Sequence, residues 1–305
     1  MFKRFERTGD FAMSKPVIVN IRFPFMSRRP SFITDEVTEG RDSKLLARYM
    51  LALALEMKAN AEEFSDCEIQ AVRLDGGSAS IVNGSDTEKL LRYLEKAYKT
   101  VENLPVSMLT CPADINGANM PFYNRAKITR YDLEMYSLEP QDFATLDTLN
   151  FMDWIPYISN GFLHAARTNS MGFVLLYGKK NVSKYGFRHS VLETIRRPVS
   201  HVILRRCQGD DAMSDDEVKE QLEMAAGKFS EAGYVEYLPQ TWAKPGMEDR
   251  FLKAKAEGAD MIGFGLGAQT RIDGVTSTNT TDLEKYLEHS GEFELITESV
   301  STNNA

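Results

Sequence analysis

Gly172-Phe173-Val174-Leu175-Leu176-Tyr177 is a continuous apolar run, the pattern of a strand that a parallel sheet buries on both faces. Working outward from it, strand-like runs recur at Val17–Phe23, Glu68–Leu74, Val106–Thr110, Lys127–Met135, Val199–Arg205, Tyr234–Leu238 and Ala259–Phe264. Helical runs stand between them: Ser43–Phe64 with Ser43 as its N-cap, Asp86–Thr100, Gln141–Leu149, and Asp215–Ala232, capped by Ser214 and stopped by Gly233. Repeated β-α alternation without an interior linker predicts one α/β domain with a mainly parallel sheet. Ligands of such folds meet the loops at the C-terminal ends of the strands. Here those loops carry Gly76-Gly77, Gly178-Lys179-Lys180, Arg205-Arg206 and Gly263 to Gly267.

The bulk properties narrow the field. The 305 residues are 43% hydrophobic and 26% charged, enough for a sizeable core. A net charge of −8 opposes general nucleic-acid binding, which needs a basic face to displace counterions from phosphate. No apolar run approaches the roughly 20 residues that span a bilayer, so no membrane span is expected. The N-terminal stretch lacks the apolar core of a secretory signal; residues 1–15 are expected to be a flexible segment, with Met13 an alternative start. Residues 299–305 read as a frayed tail. Three scattered cysteines, Cys67, Cys111 and Cys207, form neither a disulfide framework nor a metal knuckle and point to a reducing cytoplasm. They read as buried and inert. No Walker loop, Gly-x-Ser-x-Gly elbow or His-Glu-x-x-His is present, and His164 and His189 read as structural.

Four collinear segments carry a resemblance. They are Asn20-Ile21-Arg22-Phe23-Pro24-Phe25-Met26, Leu74-Asp75-Gly76-Gly77-Ser78-Ala79-Ser80, Arg130 to Ser137 (RYDLEMYS), and the stretch from Ala232-Gly233-Tyr234 through Lys244-Pro245-Gly246 to Gly263-Phe264-Gly265-Leu266-Gly267-Ala268 and Ile272-Asp273-Gly274. Together they resemble the coproporphyrinogen-oxidase-like and haem-chaperone-like (HemN/HemW) branch of the radical S-adenosylmethionine (SAM) proteins. The resemblance implies a partial (β/α) TIM-like barrel over residues 16–298, without the C-terminal winged-helix-like domain of full-length relatives. It also implies that Gly76, Gly77 and Ser78 present backbone groups to the methionyl part of SAM, although a plain strand-to-helix turn explains the same glycines. For Gly263, Gly265 and Gly267, close approach of a ligand and tight packing are the two readings.

Departures from the family pattern decide the expected chemistry. The three cluster cysteines fall on Met26, Pro30 and Ile33, and only a thiolate suits such a cluster. The family's Tyr and His fall on Asn20 and Arg22, its ribose-side Glu on Leu109, its Gln on Tyr136 and an Asp on Val174. No cofactor is therefore expected and an iron–sulfur cluster least of all; SAM or a tetrapyrrole remain as ligands. Arg22, Arg28 and Arg29, with Arg130, Lys179, Lys180, Arg205 and Arg206, would gather cations near the strand ends and take a small anionic ligand such as tetrapyrrole propionates. Solvation, or pairing with acids such as Asp35 and Glu36, is the plainer reading. Ser137 joins the ligand-binding set through the third segment. Asp75, Asp132, Glu134 and Tyr136 add functional groups that decay would not require, and they are the candidates for acid–base catalysis. The leading reading is a cluster-less homologue that binds a ligand or assists an intact radical SAM relative. The rivals are an enzyme using non-radical acid–base chemistry, and a radical enzyme with atypical cluster ligands such as Cys111 and Cys207.

Overall fold

The computed structural model describes residues 14–27, 29, 30, 32, 37–40, 42–142, 170–180 and 182–302. Seven strands run parallel: β1 (Lys15–Arg22), β4 (Cys67–Asp75), β6 (Val106–Thr110), β7 (Arg130–Tyr136), β8 (Ser170–Tyr177), β9 (His201–Arg206) and β12 (Met261–Phe264). Their order in the sheet is β9-β8-β7-β6-β4-β1-β12. Antiparallel strands extend both edges: β11 (Thr241–Ala243) and β10 (Val235–Leu238) beyond β9, then β13 (Gln269–Ile272), β14 (Val275–Asn279) and β15 (Thr297–Thr302) beyond β12. Short β5 (Lys99–Thr100) pairs with β4, and β2 (Phe25–Met26) pairs with β3 (Thr38–Glu39). The result is a mixed α/β fold whose parallel sheet curls as a partial barrel.

Alternation along the strands separates two environments. Val17, Val19 and Ile21 of β1, Val72 and Leu74 of β4, and Phe173 and Leu175 of β8 enter the main apolar core. That core lies beneath α1 (Ser43–Asn60), α2 (Gly84–Ala97), α4 (Lys184–Ile195) and α5 (Asp215–Glu231), with the short α3 (Met120–Arg125) completing this layer. The residues between them, Asn20 and Arg22, Arg73 and Asp75, Asp132 and Glu134, His201 and Arg205, face the concave side. The lumen is thus lined with charge, where a closed barrel ordinarily packs Val, Ile and Leu. A further helix, α6 (Arg250–Ala256), lies across the concave face, with Phe251 packed with Ile18, Ala71 and Met261. Two small helices, α7 (Leu283–His289) and α8 (Phe293–Ile296), precede β15.

Several local expectations need correction. Asp42, not Ser43, caps α1: its carboxylate accepts the amides of Lys44 at 2.8 Å and Leu45 at 3.3 Å. The helix stops at Asn60 because Phe64 and the turn around it redirect the chain into β4. The strand list does not end at Phe264, because Asp273 and Gly274, both at positive φ, make the two-residue turn that joins β13 to β14. Residues of the expected frayed tail are held in β15 by pairing with β14, Ser301 opposite Thr276 and Val300 opposite Ser277. The Ser214 cap stands as read, completed by Glu217 into a capping box. The Gln141–Leu149 helix, His164, Arg28, Ile33, Asp35 and Glu36 lie outside the described residues, apart from Gln141 and Asp142, which close a 3-10 turn.

Candidate functional site at the mouth of the barrel

A cavity of about 1040 Å³ opens where the parallel strands end. Its size is at the top of the range of about 300–1,000 Å³ usual for small-molecule sites. Polar residues reach it from β1 (Asn20, Arg22), β4 (Arg73, Asp75), β7 (Glu134) and β9 (Arg205). Apolar wall is supplied by Leu109, Val174, Ile203 and Leu238, and Leu252, Lys255 and Ala256 of α6 close one side. Arg29 also borders the cavity.

The two glycine loops hold their shape for reasons of packing. Gly76 has φ +94°, and a Cβ on Gly77 would stand 2.6 Å from the carbonyl oxygens of both Phe23 and Phe25. The turn after β4 is therefore pressed against the loop after β1, and Ser78 N–H donates to Phe25 O at 2.9 Å. A Cβ on Gly265, at φ +108°, would meet Arg22 O and Tyr49 Oη at 2.7 Å. Buried Glu56 organises that second loop: it accepts Gly265 N at 2.8 Å, Tyr286 Oη at 2.6 Å and Asn279 Nδ2 at 2.6 Å. Burial raises the Glu56 carboxyl to about 7 even though all three donors oppose the shift.

Arg73 ties the floor of the site together. One Nη1 lies 2.9 Å from Asp132 Oδ2 and 2.9 Å from Asp249 Oδ2, and Nε lies 3.2 Å from Asp75 Oδ2. Burial works against its charge, and the three carboxylates overcome that, raising its pKa. Asp132 Oδ1 sits 2.9 Å from His201 Nδ1, and His201 Nε2 lies 2.8 Å from Tyr237 Oη. Burial pushes the Asp132 carboxyl up, but His201 and Arg73 outweigh it and hold the group well below the usual carboxylate range. Gly172 makes this pair geometrically accessible. It stands between Asp132 on β7 and His201 on β9 in the strand register, and a Cβ there would lie 2.1 Å from Asp132 Oδ1.

The structure sorts the residues expected from sequence. Arg22, Arg29, Asp75, Gly76, Gly77, Glu134 and Gly267 border the cavity. Gly265 instead supports its rim through Glu56. Ser78 is buried and accepts Cys111 N at 2.9 Å, tying the turn to the end of β6. Ser137 is turned away, donating to Asp142 at 2.9 Å, with Ser190 Oγ at 3.1 Å. Arg130 was expected near the strand C-termini, but it opens β7 and so lies at the opposite end of the sheet. There it donates to the carbonyls of Met247 and Glu248 and borders a second cavity of about 450 Å³. Lys179 pairs with Asp211 at 2.6 Å and Arg206 with Asp215 at 3.3 Å, so those two follow the plainer reading of the basic rim. His189 pairs with Glu139 at 3.2 Å. Sequence reasoning missed Arg73, Asp249 and Glu56. The signal for Arg73 was a cation set between Val72 and Leu74, two residues before Asp75 at the end of its strand.

The lining does not suit a thiolate-held cluster. Met26 packs with Phe32, Tyr136, Leu176 and Cys207 in an apolar cluster, and Pro30 is buried. Burial raises the Cys207 thiol, the opposite of what a metal ligand needs. Among the described residues no group of three or more His, Cys, Asp or Glu is placed to hold a metal ion. Leu109 and Val174, which stand where the resemblance puts carboxylates for SAM, both face the cavity with apolar side chains. Among the described residues, the backbone of the Gly76-Gly77 turn is what remains of the expected SAM contacts at the cavity. No helix among the described residues is long and apolar enough to cross a membrane.

No protein-family profile matches the chain. Its architecture is similar to that of coproporphyrinogen III oxidase (HemN) from Escherichia coli, a radical SAM enzyme. The TM-score is 0.82 at 15% identity, over 95% of this chain and 73% of that one. The likeness is one of fold: a partial (β/α) barrel with its cavity at the strand ends. In sequence the chain is similar to heme chaperone HemW of Mycobacterium tuberculosis, from strains CDC 1551 / Oshkosh and ATCC 25618 / H37Rv. It is 28% identical over 250 residues, 75% of this chain. The chain spans 62% of the length of these curated relatives. In fold it is similar to the one and in sequence to the other of these radical SAM-type HemN and HemW proteins.

Proposed function

We propose that this protein binds a small anionic ligand in the mouth of the barrel, without an iron–sulfur cluster. The observation that carries the reading is the charge of the lining. In a protein of net charge −8, the described part of the cavity wall holds five cations, Arg22, Arg29, Arg73, Arg205 and Lys255, against two carboxylates, Asp75 and Glu134. Arg73 and Arg205 have carboxylate partners, whereas Arg22 Nε is buried with no hydrogen-bond partner among the described residues. A buried donor left unpaired costs about 1–3 kcal/mol, and an anion accepting from it recovers that.

A tetrapyrrole is the ligand class we favour. Its propionates suit Arg22, and its apolar ring suits the wall of Leu109, Val174, Ile203 and Leu238. The relatives, one named a haem chaperone and the other a coproporphyrinogen III oxidase, support the same class. Fluorescence titration with coproporphyrin III tests the proposal. Removing a charge-assisted bond worth about 1.5–3 kcal/mol in Arg22→Ala weakens affinity roughly 10- to 100-fold. Equal affinity in wild type and Arg22→Ala refutes the site. Wild-type protein that binds neither coproporphyrin III nor haemin refutes the tetrapyrrole class.

A further inference from the structure

The acidic groups of the lumen are almost all used by the protein itself. Asp75 accepts Asn20 Nδ2 on Oδ1 at 2.8 Å and Arg73 on Oδ2 at 3.2 Å. Asp132 is engaged on one oxygen by His201 and on the other by Arg73. Asp249 caps α6 through Oδ1, accepting Leu252 N at 3.0 Å, and holds Arg73 through Oδ2.

Glu134 differs. Tyr136 Oη donates to its Oε1 at 2.8 Å, and Arg205 Nη1 reaches the same Oε1 at 3.3 Å. The hydrogen bonds of Glu134 to described residues all fall on Oε1, and the residue borders the cavity. The backbone contributes to this arrangement. The β7–β8 register slips between Glu134 and Tyr136, and Tyr136 adopts φ +57°, a conformation costly for a bulky aromatic. Bulges of this kind re-aim side chains beside active sites. Here the slip accompanies a phenol turned back onto the carboxylate two residues earlier.

We propose that Glu134 is a general base acting through Oε2 on the ligand bound in the mouth, with Tyr136 and Arg205 as positioning residues. This rests on the anion-binding reading above. The reaction class is a proton shift. Oε2 takes a proton from an activated C–H of the ligand, next to a carbonyl or conjugated ring. The C–H electron pair moves into that system, and the protonated carboxyl returns its proton at another atom. No redox partner is consumed. Burial raises the Glu134 carboxyl, while Arg205, the Tyr136 hydroxyl and more distant Arg73 oppose the shift. The raised group is the stronger base once ionised.

The probe is 5-nitrobenzisoxazole, which a suitably placed carboxylate opens: the base removes the ring C–H, the N–O bond breaks, and the coloured cyanophenolate is read by absorbance. Wild type is expected to exceed Glu134→Gln on the order of 10²-fold, with a rate that rises with pH as Glu134 ionises. Tyr136→Phe removes a donor that favours the carboxylate and so shifts the profile to higher pH. Circular dichroism and thermal melting confirm that each variant is folded. Coproporphyrin III affinity is measured on the same samples. Porphyrin binding together with equal elimination rates in wild type and Glu134→Gln overturns the base and spares the binding reading. Glu134-dependent elimination without porphyrin binding supports the base and overturns the tetrapyrrole class.

Discussion

Replacing Gly172 with alanine tests the floor of the site directly. The added methyl would lie 2.1 Å from Asp132 Oδ1 and 3.0 Å from His201 Nδ1. It cannot be relieved by sliding β8, because ladders to β7 and β9 fix Gly172 on both sides. The Asp132–His201 contact must open, and Asp132 must pull on Arg73, to which it is bonded at 2.9 Å with almost no solvent access. Breaking a buried charge pair of this kind costs about 3–5 kcal/mol. For a chain of this size that lowers the melting temperature on the order of 5–15 °C. Differential scanning calorimetry measures it, with Gly227→Ala as the control: that glycine is exposed on α5 and a Cβ there meets nothing within 4 Å. The control is expected to stabilise slightly, by up to about 1 kcal/mol. In an Asp132→Ser background the Gly172 methyl should cost less than about 1 kcal/mol more, because the atom it displaces is gone. A Gly172→Ala protein that melts with wild type refutes the geometry of the floor.

Glu56 gives a pH signature. Its folded-state value of about 7 lies above the 4.5 of a free glutamate, so the fold favours the protonated form. Its contribution is full below about pH 4.5 and is lost as pH rises to about 7, a decline of about 3 kcal/mol that urea midpoints at pH 5 and pH 8 would show. Asp132, held low, acts in the opposite sense and only below about pH 4, so it does not interfere in this window. Glu134 and Asp142, also raised by burial, act in the same sense, so Glu56→Gln should reduce the slope without abolishing it, and parallel pH curves in the two proteins would exclude Glu56 as a source. At the surface, Ser214→Ala removes the cap of α5 and half of the capping box with Glu217; a loss of about 1 kcal/mol is expected, and an unchanged melting temperature would show that the cap contributes nothing.

The parallel sheet was legible because hydrophobic alternation and helix punctuation are local. Val106–Thr110 coincides with β6, and Ser214 and Gly233 bracket α5 as read. The antiparallel edge after Phe264 was also written locally, in Asp273-Gly274, yet a strand pattern as polar as TESVST carries little apolar signal. Strand ends placed Arg22, Asp75 and Glu134 correctly at the mouth, whereas the start of β7, three residues later than expected, sent Arg130 to the other end. The floor network could not be read this way. Arg73 lies 59 positions from Asp132 and 176 from Asp249, and Asp132 lies 69 from His201; only the curl of the sheet over three non-adjacent strands and the helix laid across it bring them together. Gly172 likewise reads as a weak point in an apolar strand until the side chains above it are seen.

The helix laid across the concave face governs traffic. Asp249 both caps that helix and holds Arg73, so the helix cannot swing aside without giving up either its cap or one of the three carboxylates of a buried guanidinium. It stands between the mouth cavity and the smaller cavity at the other end, bordering each with a different part of one segment. Among the described residues this helix thus keeps the two cavities apart.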